Sequence, residues 1–264
     1  MPELPEVETV VRELNKNLKD KVFIDVDPIF RPIFNGDFHN VENLKVQSVN
    51  RRAKYIVFNF YDTDIHLISH LRMTGKYIFN HVDEKEEKFI RCIFTLNDNS
   101  KMYYLDMRKF GRFDLTINLD DYFKHIGIEP LDKNFTYSYL KQYLKGETPM
   151  KSFLLNQSVI AGLGNIYADE VLFLSRIHPK RKANSLSETE IKNLVSNIKT
   201  VITKAIDNMG TKLSDYRDTD KGKNQNYLNV YGRENKFCNI CGTVISKIKM
   251  VGRGTHFCSE CQKL

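Results

Sequence analysis

The chain has 264 residues, with 40 Lys and Arg against 33 Asp and Glu, for a formal net charge of +7. That length suits one large domain or two medium ones. No apolar run reaches the ~18 residues of a membrane helix, and the acidic N-terminus lacks a secretory signal, which excludes a membrane span and points to the cytoplasm. The basic balance favours a polyanionic partner, most simply nucleic acid.

The chain opens Met-Pro-Glu-Leu-Pro-Glu. Initiator methionine is removed when the second residue is small. Removal would leave Pro2 as a free secondary amine, which attacks carbonyl carbons to give Schiff bases. An α-amino group has a reference pKa near ~8, so part of it is neutral at cellular pH. Glu3 beside it is a candidate acid/base partner. Taken alone, a Met-Pro start is an ordinary frayed end; the rest of the chain decides.

Pro5 suits the first turn of a helix, and Val7, Val10, Val11, Leu14 and Leu18 follow at helical spacing. Glu6 and Glu8 then fall near the positive end of the helix dipole. From about 22 to 117, short runs rich in Val, Ile, Phe and Tyr alternate with Asn, Asp and Gly. Strands are predicted over Lys54–Tyr61, Asp64–His70, Lys76–Asn80, Phe89–Leu96, Lys101–Leu105 and Arg112–Thr116. Together they predict an antiparallel sandwich or barrel. Cys92, alone in its apolar run, reads as a buried strand residue.

After Gly127-Ile128-Glu129-Pro130 the texture becomes helical: Tyr137–Leu144, Met150–Leu155, Asn165–Ser175 and Ser187–Asn208. The last begins Ser-Glu-Thr-Glu, a capping box. Residues 214 to 226 are polar and predict a loop. Cys238, Cys241, Cys258 and Cys261 then form two Cys-x2-Cys pairs sixteen residues apart. That is the spacing of a four-thiolate zinc site, with a redox role as the lesser option. So short a segment has too little core to fold alone, and the metal would stabilise it.

Six stretches, in order, resemble one family: residues 1–9, Arg-Arg-Ala-Lys-Tyr at 51–55, His-Leu-Arg-Met-Thr-Gly at 70–75, Arg-Lys-Phe-Gly at 108–111, Ala-Gly-Leu-Gly-Asn-Ile-Tyr-Ala-Asp-Glu at 161–170, and the cysteine segment. The family is formamidopyrimidine-DNA glycosylase with the related endonuclease VIII. Glu-Leu at 3–4 resembles the first branch. The resemblance implies an α+β chain: an N-terminal antiparallel β-sandwich with flanking helices over 1–130, a helix–two-turns–helix domain over 131–226 and a C-terminal zinc-finger β-hairpin over 227–264. It implies a monomer that excises oxidised purines from damaged duplex DNA crossing the cleft between domains, then nicks the abasic strand. One structural Zn2+ and no catalytic cofactor are expected.

The resemblance also implies residue roles. Pro2 would attack C1′, Glu3 would shuttle protons, Lys54 would contact phosphate and donate a proton in β-elimination, and Arg253 would grip phosphates and assist δ-elimination. Glu6 is either a supporting carboxylate or a dipole-stabilised helix-start acid. Asn165 fits a phosphate site at a helix start, an N-cap, or both. Lys151 and His70 match positions near the flipped nucleotide or its phosphates; His70 reads equally as a satisfied strand-end histidine. An enzyme that cuts a base from a duplex must first unstack it. Met73, Arg108 and Phe110 match the trio that fills the gap, although core packing is the ordinary reading of Met73 and Phe110.

Two stretches depart from the family pattern. Lys88-Phe89-Ile90-Arg91 replaces a Lys-His-x-His stretch, so Arg91 would supply DNA contact through charge. Residues 218–225 replace a longer Gly-Lys-Pro-Gly-aromatic loop that closes over the extruded base. Formamidopyrimidines or further-oxidised hydantoins are therefore expected to be preferred over 8-oxoguanine. Excision rates on duplexes carrying each lesion check this, and ordinary 8-oxoguanine turnover would defeat it. Two other readings remain: an endonuclease VIII-type enzyme for oxidised pyrimidines, separated by the same lesion assay, and a non-catalytic zinc-containing DNA-binding protein, separated by borohydride trapping.

Overall fold

The computed structural model describes residues 1–211 and 222–264. The described chain forms two compact units: 1–124 with 209–222, and 125–208 with 223–264. Among the described residues, no helix is long and apolar enough to cross a membrane.

The first unit begins with α1 (Leu4–Leu18). The strands are β1 (Phe23–Asp27), β2 (Phe34–Asn35), β3 (Val46–Arg52), β4 (Tyr55–Phe60), β5 (His66–His70) and β6 (Gly75–Phe79). The short helix α2 (Glu84–Glu87) follows, then β7 (Ile90–Leu96), β8 (Lys101–Asp106), β9 (Arg112–Thr116) and α3 (Leu119–Phe123). They build two sheets, ordered β1-β7-β8-β6 and β2-β9-β5-β4-β3. Pairing is antiparallel except between β2 and β9. Rings from both sheets meet between them: Phe23 lies 6.4 Å from Phe58, and Tyr104 meets Phe113 edge-on at 4.7 Å. Cys92 is fully buried in this core. The expected sandwich is therefore present, and α1 packs on β3 through Val7, Val11, Leu14 and Leu18.

Strands β1, β2 and β3 are absent from the predicted set for a physical reason, β2 being only two residues long. A bulge between Phe23 and Asp25 breaks the period of two in β1. Strand β3 buries only Val46 and Val49, so its alternation is faint.

The second unit contains α4 (Tyr137–Lys141), α5 (Met150–Leu154), α6 (Asn165–Leu174) and α7 (Glu188–Asp207), then the hairpin β10 (Ser246–Met250) and β11 (Arg253–Phe257). The predicted capping box at Ser187 is present, the Ser187 N–H donating to Glu190 at 2.8 Å. Helix α4 stops after one turn, short of the expected Leu144. Of the loop from 218 to 225, residues 218–221 lie outside the described residues. Its far end is a single 3-10 turn, Asn224–Tyr227, whose preceding Lys223 N–H donates to Asn208 O at 2.9 Å.

Candidate active site and metal centre

The N-terminus is built into the first unit. Pro2, Glu3 and Glu6 are buried. Glu3 caps α1 and forms a reciprocal box with Glu6: the Glu3 N–H donates to Glu6 Oε2 at 2.9 Å. The other oxygen of Glu6 accepts from Thr211 N–H at 2.7 Å. Gly210, at φ +75°, brings its Cα so close that an added Cβ would stand 2.9 Å from Glu6 Oε1. Of the two sequence readings, Glu6 as a supporting carboxylate is the one this geometry favours: both oxygens are engaged, and one binds a segment 205 residues away. Met1 is half-buried and lines a cavity of about 750 Å³ with Pro32, Arg72, Met73, Lys109, Phe110 and Arg112. Met1, the residue bonded to the Pro2 nitrogen, thus faces a cation-lined space.

Lys54 and His70 belong to the same unit. Lys54 follows Ala53, whose φ of 54° turns the chain between β3 and β4. Arg51 fixes this turn by donating to Ala53 O at 3.2 Å while its Nε binds Glu8 of α1 at 2.8 Å. His70 accepts a hydrogen bond from Arg72 N–H at its Nδ1, 3.0 Å away, and packs edge-on against Tyr55. Burial, helped by the Arg72 and Lys54 cations, pulls its pKa down to about 3, so the imidazole is neutral. It is a satisfied, buried histidine beside the lysine rather than an exposed cation.

Met73, Arg108 and Phe110 stand out from the surface on two adjacent turns. Met73 is 37% exposed and Phe110 55%. The Arg108 guanidinium lies over the Phe110 ring at 4.9 Å. For both apolar residues this exposure sets aside the reading of ordinary core packing.

Arg91, expected to contact DNA through charge, is buried to the same degree as Lys54, and its guanidinium bonds to backbone: Nε donates to Asp106 O, and Nη1 to Lys88 O and Ile90 O, each at 2.9 Å. Burial lowers its pKa, with the Asp106 carboxylate acting in the opposite sense.

Lys151, in the second unit, is expected near the flipped nucleotide or its phosphates. It is fully buried, donating to Asp169 Oδ1 at 2.5 Å and to Asn165 O at 2.8 Å. A lysine at this depth needs an anionic partner, and Asp169 is it. The other Asp169 oxygen accepts from His256 N–H of β11 at 2.9 Å. Glu170 holds the approach to the hairpin, accepting from the N–H groups of Asn229, Val230 and Tyr231 at 2.8–2.9 Å. Asn165 is the first residue of α6 rather than its N-cap, which is Gly164. Its amide donates to Gly254 O at 2.9 Å, next to Arg253, and its buried Oδ1 has no hydrogen-bond partner among the described residues. Arg253 is exposed where β11 leaves a two-residue turn, Val251-Gly252, with φ of 49° and 70°.

Sequence reasoning missed Asp106, Thr74, Asp169, Glu170 and His256. One signal was present. Helix α6 reads Asn-Ile-Tyr-Ala-Asp-Glu-Val-Leu-Phe-Leu, apolar nearly all round, so its adjacent acids had to be buried with partners.

The four cysteines predicted to bind zinc come together. Their sulfurs all lie within 4.8 Å of one another, with Cys238–Cys261 at 3.9 Å and Cys241–Cys258 at 3.4 Å. A tetrahedral ion with Zn–S bonds near ~2.3 Å requires sulfurs roughly 3.8 Å apart. The hydroxyl and amide of Thr243 pull the Cys241 thiol down to about 6, whereas burial and the neighbouring sulfurs push Cys261 up to about 12. Four thiolates at this spacing need a cation, and the donor set fits zinc.

The comparisons agree with this geometry. Residues 1–113 match the formamidopyrimidine-DNA glycosylase N-terminal domain, residues 126–216 its H2TH domain, and residues 235–264 a zinc finger found in FPG and IleRS. The chain is 41% identical to formamidopyrimidine-DNA glycosylase of Lactiplantibacillus plantarum over 275 aligned positions covering all of both chains. It superposes with a TM-score of 0.93 on Lactococcus lactis Fpg in complex with DNA containing an abasic site, at 39% identity, covering 99% of this chain and 100% of that one. The same enzyme with FAPY-dG DNA gives a TM-score of 0.91 at 38% identity, with the same coverage. Sandwich, helical segment and four-thiolate hairpin, matched in order along the whole length, show that this chain belongs to the formamidopyrimidine-DNA glycosylase family.

Proposed function

We propose that the chain excises oxidised purines from duplex DNA and then cleaves the strand at the abasic site, with the amine of Pro2 as nucleophile once Met1 is removed. The observation that carries this reading is the buried Pro2-Glu3 start, braced by Glu6, at the edge of a cavity whose other walls include Met73, Phe110 and three cations. The relatives named above act on or bind such DNA.

Each step assigns a proton and an electron pair. The Pro2 lone pair bonds to C1′ as the glycosidic bond breaks, and the leaving base takes up a proton. Glu3 protonates O4′, the sugar ring opens, and an iminium forms between Pro2 and C1′. The iminium acidifies the C2′ protons. Loss of one expels the 3′ phosphate, and a second elimination expels the 5′ phosphate. Water then releases the enzyme. Lys54, beside neutral His70, holds phosphate and supplies a proton in β-elimination. Arg253, exposed at the tip of the hairpin, binds phosphate for the second elimination.

Lys151 holds Asp169 and the start of α6, and Arg91 holds Asp106. The zinc supplies no chemistry to the reaction; it fixes the hairpin that carries Arg253. Preference for formamidopyrimidines or hydantoins remains part of the proposal and rests on the sequence of the 218–225 loop.

Borohydride trapping on an abasic duplex tests the reading, because only an amine nucleophile becomes linked to the sugar. Affinity is also expected to fall with salt. With about six phosphates neutralised by exposed groups such as Arg72, Arg108, Lys109 and Arg253, binding weakens by roughly 10³-fold between about 50 and 200 mM salt. A fluorescence titration across that range checks this, and a flat profile contradicts the contacts.

A further inference from the structure

Two turns carry the exposed groups that face the duplex in the reading above, and one buried carboxylate holds both. Asp106 is fully buried at the end of β8. Its Oδ1 accepts from the Thr74 hydroxyl at 2.5 Å and from Arg108 N–H at 3.1 Å. Its Oδ2 accepts from Gly111 N–H at 2.7 Å. The Thr74 oxygen in turn accepts from Arg108 N–H at 3.1 Å. Thr74 directly follows Met73, and Arg108 and Gly111 bracket Phe110. The three exposed side chains therefore depend on a single network.

The backbone around this network is under strain. Arg72 and Lys109 adopt φ of 51° and 58°, a conformation costly for residues with a Cβ. Each lies next to an exposed apolar side chain, Met73 in one turn and Phe110 in the other. A third element closes the gap between the turns. A Cβ on Gly75 would stand 2.3 Å from the Tyr104 hydroxyl, and one on Gly111 would stand 1.8 Å from it. Both turns thus press against one buried phenol. Arg91 grips Asp106 from the other side through its backbone carbonyl.

We propose that Thr74 and Asp106 are positioning residues for base extrusion: they set the separation of the Met73 turn from the Arg108–Phe110 turn, so that both enter the duplex as one wedge. This rests on the functional reading above and extends it. Unstacking is opposed by base stacking, and only side chains held in a fixed arrangement offset it; mobile ones would lose the gain to ordering. Neither residue touches the reacting sugar. Their loss should impair steps that need the duplex opened and spare steps that do not.

The test compares two substrates. Thr74→Val removes the hydroxyl at nearly constant volume, Asp106→Asn removes the charge, and Thr74→Ser restores the donor. On a duplex bearing a formamidopyrimidine, with 2-aminopurine beside the lesion, Thr74→Val is expected to slow single-turnover excision and the unstacking signal together by about tenfold, and Asp106→Asn by more. Thr74→Ser should recover most of the rate. Borohydride trapping on a single-stranded abasic oligonucleotide, where nothing must be unstacked, should stay within about twofold for every variant.

Equal losses on both substrates would overturn the proposal in favour of a general defect of the sandwich, which the melting temperature would confirm. Unchanged excision and unstacking in Thr74→Val would also overturn it while leaving the functional reading intact. Failure of the parent chain to trap would instead strike the functional reading. If Asp106→Asn does not fold, the Thr74 pair alone decides.

Discussion

The same polypeptide bearing Met1 is expected to be inactive where the trimmed one is active. With Met1 in place the Pro2 nitrogen is an amide, its lone pair is delocalised, and no covalent bond to C1′ forms. Loss of the nucleophile should lower excision and strand nicking by at least about 10³-fold, a barrier increase of roughly 4 kcal/mol. Borohydride-linked product should vanish. Binding to a duplex with a stable abasic analogue should change by less than about tenfold, since the exposed cations that neutralise phosphate are untouched. The comparison needs no substitution: protein made without aminopeptidase is assayed, then trimmed in vitro and assayed again, with intact mass confirming each form. Recovery on trimming identifies the amine. Equal turnover by the Met1-bearing form would overturn the assignment. Among trimmed molecules, trapping should also accelerate as pH rises toward ~8, where the terminal ammonium gives up its proton.

Much of this was readable in the residues. Pro2 gained meaning only beside the other family-like stretches, and Glu3 and Glu6 lie at helix-start positions. The four cysteines were legible because metal geometry constrains their spacing, and the sulfurs meet as the spacing requires. Strands β4–β9 followed from alternating β-branched and aromatic runs. What escaped was whatever depends on a partner distant in sequence. Lys151 and Arg91 look like surface cations in a linear reading. Their burial is decided by Asp169, 18 residues on, and by the Asp106 carbonyl, 15 residues on. Asp106 itself sits in Leu-Asp-Met-Arg, where nothing local distinguishes it from a turn aspartate. Its role appears only when the Thr74 turn, 32 residues earlier, folds against it. Motif reading names residues by local pattern, buried ones such as Glu3 and Lys54 among them, whereas the partners of buried charges are set by tertiary pairing.

Removing the zinc is expected to unfold the C-terminal hairpin and to leave the sandwich standing. The buried cluster under the hairpin contains Phe173, Val230, Cys238, Ile245 and Cys258, so two of its five members are themselves ligands. So small a core supplies little, and metal binding contributes about 10 kcal/mol in comparable sites. Polar ties add to it: Gln262 accepts from Cys258 N–H and donates to Ile177 O, both at 2.9 Å. Chelation, or Cys258→Ser, should therefore release Arg253 from the turn that presents it. It should also leave Asp169 without its bond to His256 N–H, so that only Lys151 remains to satisfy this buried acid. Amide exchange over 246–257 should rise to near unprotected rates, while protection in β4, β5 and β8 persists. Affinity for an abasic duplex should fall by at least about a hundredfold, because phosphate contacts from the hairpin are lost. Protein retaining protection at 246–257 and full DNA affinity after complete metal removal, verified by atomic absorption, would show that the thiolate cluster is not what holds this hairpin in place.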